Sequence, residues 1–176
     1  MVKSGILNSV LLALGCIVSL SYAETTRDAQ ATTDSRSATT EQSVRLRKAH
    51  YALSVRKARI RKSLIILSKL TEQKPPKKFS AEQTNDWHSQ NRLLLQVYSE
   101  FRSFHDKEMQ AIKRPEPNRD QNRQVEVELP KYQALDQKFL TLYDTARRKI
   151  EDYHGLTQFT QQRNEAALTA ITQIKG

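Results

Sequence analysis

Residues 45–78 read RLRKAHYALSVRKARIRKSLIILSKLTEQKPPKK and carry the whole charge excess of the chain. They contain twelve basic residues and one acidic residue, whereas residues 79–176 contain fourteen of each. The 176-residue chain has a formal net charge of +10 at pH 7. Because the positive charge is gathered in one segment, this segment decides both the fold and the kind of partner that we expect.

The segment is also amphipathic. At about 100° per residue, its main apolar side chains fall within roughly 60° of arc on a helix; they are Leu46, Ala49, Leu53, Ile60, Leu64 and Leu67. This pattern predicts a first helix from Glu41 to Gln73. Lys74-Pro75-Pro76 ends it, since proline lacks a backbone N–H and disfavours the α conformation of the residue before it. The basic side chains occupy the remaining surface, where they either bind an anion or only keep an apolar helix in solution.

The start of the chain has the features of a secretory signal peptide, which we assign to residues 1–23. Lys3 gives a positive start, residues 6–20 are mostly apolar, and residues 21–23 (Ser-Tyr-Ala) fit the cleavage pattern. An uncleaved anchor and lipoprotein processing before Cys16 are the alternatives. Cleavage after residue 23 would remove the only cysteine and with it any disulfide or cysteine chemistry.

Residues 24–40 are rich in Thr, Ser, Ala, Asp and Gln and contain no large apolar residue. Such a segment cannot bury enough surface to offset its ordering entropy. We therefore predict a flexible linker at residues 24–40 and a helical bundle domain at residues 41–176.

A second helix is predicted to start at the sequence Phe-Ser-Ala-Glu-Gln, residues 79–83. Ser80 can cap the helix and Gln83 stands three residues later, as in a capping box. The helix should run to about Lys113, and its buried face should hold Trp87, Leu94, Val97, Tyr98, Phe101, Phe104 and Ile112. The composition of residues 115–130 predicts a polar loop. Within it, Val125, Val127 and Leu129 alternate with glutamates, which suggests a short extended piece.

A third helix is predicted to begin near Pro130-Lys131, because proline suits a first helical turn. Its apolar residues recur at spacings of three and four: Tyr132, Leu135, Phe139, Leu142, Ala146, Ile150 and Tyr153. The spacing stays in phase beyond Gly155, through Phe159, Ala166, Ala167, Ala170, Ile171 and Ile174. This favours one long helix that is weakened at Gly155, and a separate fourth helix is the alternative.

These patterns predict an all-α fold, an elongated antiparallel bundle of three long helices. Near-heptad spacing indicates coiled-coil-like packing; it is seen at Leu46, Leu53, Ile60 and Leu67, and again at Tyr132, Phe139, Ala146 and Tyr153. An elongated bundle of this kind would be suited to forming a homodimer along an exposed seam.

No residue set in the sequence points to catalysis, a metal or a cofactor. Glu151-x-x-His154 is half of the carboxylate–histidine pattern of di-iron bundles, but His105 and Glu108 offer only the reversed spacing. Gly-x-Ser-x-Gly is absent from the sequence, and its four glycines provide no phosphate-cradling loop. We therefore predict a non-enzymatic protein with no metal and no cofactor.

The predicted partner-binding residues are the basic residues in the first two-thirds of helix one: Arg45, Arg47, Lys48, Arg56, Lys57, Arg59, Arg61 and Lys62. Export to a periplasm or to the outside makes nucleic acid an unfavourable partner, and no base-reading motif is present. Client proteins, lipid headgroups and acidic polysaccharide are the anionic partners that we expect. Such attraction should weaken with salt.

Two stretches resemble known families. The helix start at residues 79–83 resembles the Leu-Thr-x-x-Gln signature of Spy-like periplasmic chaperones, and Leu156-Thr157 is a partial second copy. This resemblance implies a holdase activity and a dimeric cradle. The order of leader, spacer, residues 44–47 (Val-Arg-Leu-Arg) and helical domain resembles oomycete RxLR effectors, with Val44 in place of the first arginine and no Glu-Glu-Arg element. That resemblance implies action inside a host cell.

Three functional hypotheses follow from the sequence. The first is an exported helical binding protein, chaperone-like, that contacts anionic partners through its basic first helix. The second is a secreted effector, and the third is a subunit of an envelope or secretion assembly.

Overall fold

The computed structural model describes residues 40–112 and 121–175. The predicted signal peptide, the linker up to residue 39 and the first part of the predicted loop, residues 115–120, lie outside these ranges. The chain divides into two units, Met1–Val44 and Arg45–Gly176. Of the first unit, residues 40–44 are described, and they begin the first helix. The packing described below is that of the second unit.

All secondary structure in the described ranges is helical, which confirms the all-α prediction. The helices are α1 at residues 40–72, α2 at Ala81–Lys107, α3 at Gln121–Glu151 and α4 at Gln158–Lys175. A short 3₁₀ turn, Met109–Ala111, follows α2. The predicted number of three long helices is wrong, because the third predicted helix is divided into α3 and α4.

α1 lies within two residues of its predicted bounds and buries the predicted seam. Leu46, Leu53, Ile60 and Leu67 are at most 3% exposed, while Ala49 and Leu64 pack against them half-buried. Burying each such Leu or Ile side chain contributes about 1.5–3 kcal/mol. Across the unit, the largest buried apolar side chains include Leu94, Phe101, Met109, Phe139, Ile150, Ile171 and Ile174.

α1 packs against α3 through its first half and against α4 through its second half. The rings of His50 and Tyr132 lie 6.0 Å apart. Further along, the Ser63 hydroxyl donates to the Ala170 carbonyl oxygen at 2.5 Å.

α2 and α3 run in opposite directions along each other. Lys149 Nζ lies 2.8 Å from Glu100 Oε1, and Lys138 Nζ lies 3.1 Å from Glu108 Oε1. Tyr153, two residues beyond the end of α3, reaches back to Asp86 near the start of α2. The turn between α3 and α4 is thereby placed beside the first turns of α2.

The predicted capping box of α2 is confirmed. Ser80 Oγ accepts a hydrogen bond from the Gln83 backbone N–H at 3.2 Å, and Gln83 Oε1 accepts one from the Ser80 N–H at 3.0 Å. The Phe79 ring packs against the rings of Trp87 and Phe159, with centroids 6.0 and 5.6 Å away. The end of α2 differs from the prediction, since the helix stops at Lys107 and the 3₁₀ turn follows.

The extended piece predicted around Val125 is wrong, because α3 already begins at Gln121. Val125 is buried, whereas Val127 is 46% exposed. Val125, Leu129 and Tyr132 are spaced by four and three residues, so the helical face that they form continues through Pro130 into the rest of α3. Proline removes one backbone donor there, and the burial of this face compensates for the lost bond.

The favoured prediction of one continuous helix through Gly155 is also wrong. α3 ends at Glu151 and α4 begins at Gln158. Thr157 precedes α4 and its hydroxyl accepts a hydrogen bond from the Thr160 backbone N–H at 3.1 Å, which is the geometry of an N-cap. Both helices bury apolar residues in the same core, and the apolar spacing alone gave no sign that the chain reverses.

None of the helices in the described part of the chain combines the length and the apolar character needed to cross a bilayer.

Candidate functional site

The predicted partner-binding residues all lie on α1, which has no acidic residue between positions 45 and 71. Five of their side chains are exposed, namely Arg45, Arg47, Lys48, Arg61 and Lys62, and three are half-buried, namely Arg56, Lys57 and Arg59. The helix positions them on both flanks and on the outer side, because only the narrow apolar seam faces the core.

Two of the eight residues contact other helices or turns of the protein. Arg56 forms an ion pair with Asp136 of α3, and its guanidinium carbon lies 4.3 Å from the centre of the Phe139 ring. Burial, with a smaller effect of nearby Arg59, lowers the pKa of Arg56. Lys57 Nζ donates to Gln110 Oε1 at 3.2 Å. Arg56 therefore joins α1 to α3 rather than facing a partner.

Cations that form no ion pair with a described residue are more numerous on α1 than on α2 and α3, where they are Arg92, Lys107, Arg123 and Arg148. Arg102, Lys138, Arg147 and Lys149 each lie beside a carboxylate. On α1, six residues form no ion pair with any residue in the described ranges; they are Arg47, Lys48, Arg59, Arg61, Lys62 and Lys69. We call these six residues the basic face.

The basic face can hold anions by Coulomb attraction and hydrogen bonds. Guanidinium groups bind carboxylates and phosphates in a bidentate manner, and ammonium groups act as mobile point charges. Because these side chains are largely in water, each contact is weak and screened by salt, and affinity depends on several contacts at once. Lys69 was absent from the predicted set, although its position on the outside of the same helix could have included it.

A cleft of about 440 Å³ lies between the end of α2 and α3. Its charged lining residues are paired with each other: Lys138 with Glu108 and Lys131 with Glu128, at 3.1 and 3.2 Å. The cleft therefore offers little net charge to a ligand, in contrast to the basic face.

The sequence did not predict a buried polar network where α2 begins and α3 turns into α4. We define this polar network as Asp86, Gln90, Asn91, Tyr153, Thr157, Thr160, Arg163 and Asn164. The Asp86 carboxylate accepts hydrogen bonds from the Tyr153 hydroxyl at 2.5 Å and from the Leu156 N–H at 3.0 Å. The Thr160 hydroxyl lies 3.0 Å from the same carboxylate. Asp86 thus fixes the α3–α4 turn onto α2.

Arg163 is the central cation of the polar network and is only 5% exposed. Its guanidinium donates to Gln90 Oε1, to the Leu70 carbonyl oxygen and to Asn91 Oδ1, each at 2.7 Å. The guanidinium carbon lies 3.8 Å from the Trp87 ring centre. Burial lowers the pKa of Arg163 to about 10, so that the group is still charged at neutral pH.

A weak signal for Arg163 was present in the sequence. Thr160, Arg163, Ala167 and Ala170 recur at spacings of three and four, which places the arginine on the buried side of α4. Arg163 joins α4 to α1 and α2 through neutral acceptors. The hydrogen bonds of the network position the helices relative to one another.

Removing the Tyr153 hydroxyl should reveal how strongly the network holds the turn. Burial, and then the hydrogen bond to Asp86, raises the pKa of Tyr153. We expect Tyr153→Phe to lower the free energy of unfolding by about 1–2 kcal/mol at pH 7. The raised pKa adds stability that is present below about pH 10 and lost as the pH rises further, since the unfolded chain then releases the proton more readily. The variant should therefore lose stability less steeply than the wild type above pH 10.

Urea unfolding at several pH values measures both effects. Tyr51→Phe is the matched control, because Tyr51 is 72% exposed, and it should leave the stability and its pH profile unchanged. An unchanged stability of Tyr153→Phe at pH 7 would contradict the role of this hydroxyl.

The four histidines have different surroundings. His88 and His154 are exposed, His50 packs near Tyr132, and His105 Nδ1 lies 2.9 Å from Asp106 Oδ1. No group of three or more His, Cys, Asp or Glu residues within the described part of the chain could hold a metal ion. The absence of a metal and of a cofactor stays a prediction.

Comparison with known proteins gave no significant match to a protein-family model, to a curated protein or to a solved structure.

Proposed function

We propose that this chain is an exported, non-enzymatic helical binding protein that contacts anionic partners through the basic face of α1 and acts in a chaperone-like manner. The observation that supports this proposal is the basic face itself, six cations with no ion pair in the described ranges on a helix without interior acids. The proposal includes coiled-coil-like packing of α1, because Leu46, Leu53, Ile60 and Leu67 are buried at intervals of seven residues.

Such a surface would act by attraction rather than by a shaped pocket. Long-range positive potential raises the encounter rate with an acidic client, and the flexible Lys and Arg side chains adapt to different arrangements of carboxylates. The buried seam of α1 keeps the helix in place, so that the backbone loses little conformational freedom on binding. Many weak contacts of this kind delay aggregation of a client and still allow its release.

The test is the aggregation of reduced α-lactalbumin, an acidic client, followed by light scattering at low and high salt. The full chain should slow aggregation at low salt and lose this effect as salt is raised. The triple variant Arg47→Glu, Arg61→Glu, Lys62→Glu should be about tenfold less effective at low salt, because several attractive contacts become repulsive.

A matched control carries the same change of net charge elsewhere. Arg92, Arg123 and Arg148 are exposed on α2 and α3, and replacing all three with Glu should leave most of the activity. Circular dichroism must show that both triple variants are as helical as the wild type. Failure of the wild type to slow aggregation at any salt concentration, or equal losses in the two variants, would contradict the proposal.

A further inference from the structure

The outside of α1 also exposes apolar side chains between its cations. Tyr51 is 72% exposed, Ile65 54% and Ile66 37%. Positions 48, 51, 55, 58, 62, 65 and 69 recur at alternating spacings of three and four residues, and on a helix they form one line roughly opposite the buried seam. We call this line the outer stripe; it consists of Lys48, Tyr51, Val55, Ala58, Lys62, Ile65 and Lys69. Ile66 lies to one side of the stripe, next to Ile65.

A shallow groove widens the outer stripe beside Ile65. It has a volume of about 410 Å³ and lies between α1 and Tyr98 of α2. Leu64, Ile65 and Tyr98 supply its apolar lining. Arg61 and Lys69 supply two positive charges against the one negative charge of Glu72. Apolar surface and cations are thus next to each other at the same place on the molecule.

Three kinds of anionic partner can be compared with this surface. A partner helix packed along the outer stripe would bury Lys48, Lys62 and Lys69, and each buried lysine would need an acid placed opposite it to offset the cost of desolvation. An acidic polysaccharide would pair the cations but leave Tyr51 and Ile65 in water. The surface of an anionic bilayer suits both groups. Its headgroups pair with the lysines in a wet layer, and the boundary with the acyl chains takes up the apolar side chains.

We propose that α1 binds flat on an anionic lipid surface, with Tyr51, Ile65 and Ile66 at the boundary between headgroups and acyl chains. The cations of the basic face then lie at the level of the lipid phosphates and carboxylates, which attract them. This inference rests on the proposed function and names anionic lipid as the partner of the same helix face.

Co-sedimentation of the full chain with phosphatidylserine–phosphatidylcholine vesicles tests the inference, with pure phosphatidylcholine vesicles as the uncharged reference. We expect clear binding to the anionic vesicles, and much weaker binding to the neutral ones. The double variant Ile65→Ser, Ile66→Ser should bind the anionic vesicles about tenfold more weakly. Its matched control is Leu95→Ser, Val127→Ser, since these side chains are 45% and 46% exposed on α2 and α3; it should bind as the wild type does. All variants share residues 1–44, and the comparison therefore isolates α1.

A heparin column and the client-aggregation assay separate this inference from the proposed function. The isoleucine variant should keep wild-type retention on heparin, because its charges are unchanged, whereas the basic triple variant Arg47→Glu, Arg61→Glu, Lys62→Glu should lose retention on heparin and vesicle binding together. If the wild type is retained on heparin or protects a client but does not bind vesicles, the lipid inference is overturned and the proposed function stands. Loss of every kind of binding would overturn both.

Two further outcomes would also overturn the lipid inference. Equal binding to neutral and anionic vesicles would show that the charges take no part. An isoleucine variant that keeps vesicle binding but no longer protects a client would show that the outer stripe docks a protein instead.

Discussion

Replacing Arg163 with alanine should lower the free energy of unfolding by about 3–5 kcal/mol. The substitution removes the donors that serve Gln90 Oε1, the Leu70 carbonyl oxygen and Asn91 Oδ1. It also removes the stacking on Trp87, 3.8 Å away, and leaves a void beside that ring. Acceptors that lose their only donor in a dry environment are unfavourable by about 1–3 kcal/mol each, although the surroundings relax in part.

Urea unfolding of the wild type and the variant measures this difference. Arg147→Ala is the control, because Arg147 forms an exposed ion pair with Glu151 one turn away, and such pairs contribute about 0.5 kcal/mol. Arg163→Lys keeps the charge but cannot serve three acceptors and stack as a plane at once, so its stability should lie between those of the wild type and the alanine variant. A loss below about 1 kcal/mol for Arg163→Ala would show that the polar network does not hold the helices together.

The features that the sequence predicted are local ones. The bounds of α1 follow from a continuous seam and from Pro75-Pro76, and the start of α2 follows from Ser80 and Gln83, which lie three residues apart. In each case the residues that determine the structure are near neighbours in the chain. Their physical effect, a buried stripe or a pair of hydrogen bonds at a helix end, needs no knowledge of the rest of the fold.

The features that the sequence missed depend on distant contacts. Gln90 and Asn164 are ordinary surface residue types, and hydrogen bonds to distant residues, including the one of 2.7 Å between them, satisfy them in the interior. The same holds for Arg56, whose partner Asp136 lies eighty positions later in the chain. The sequence therefore located the positive charge on α1 but could not separate Arg56, which faces α3, from Arg47 and Lys62, which face outward.

The reversal between α3 and α4 was missed for a different reason. Apolar spacing shows which side of a helix faces the core. It does not show whether the chain continues straight or reverses into a second helix that faces the same core. Gly155 was the visible signal, and its role differs from that of a left-handed helix cap, because no glycine in the described ranges has a positive φ. Its role is close approach. A Cβ at position 155 would lie 2.9 Å from the Cβ of Thr160, and closer still to the Thr160 hydroxyl.

Gly155→Ala should accordingly lower the free energy of unfolding by about 2–3 kcal/mol, as expected for overpacking of a closely packed site. Thr160 cannot move away easily, because it is fully buried and its hydroxyl lies 2.8 Å from the Thr157 carbonyl oxygen and 3.0 Å from the Asp86 carboxylate. Denaturant unfolding measures this free energy. Leu156→Ala is the control in the same turn, because Leu156 is 63% exposed. This substitution should change the stability by less than about 0.5 kcal/mol.

The sign of the Gly155→Ala effect decides between two accounts of this turn. Where space allows, replacing a glycine that has negative φ with alanine stabilises a protein by about 0.4–1 kcal/mol, because the unfolded chain loses freedom. A stabilised variant would therefore contradict the close approach to Thr160. If the approach is real, the double variant Gly155→Ala, Thr160→Ala should be more stable than the sum of the two single changes predicts, since the second substitution removes the hydroxyl that the new methyl group meets. The turn that places α4 beside α2 would then depend on the absence of a single side chain.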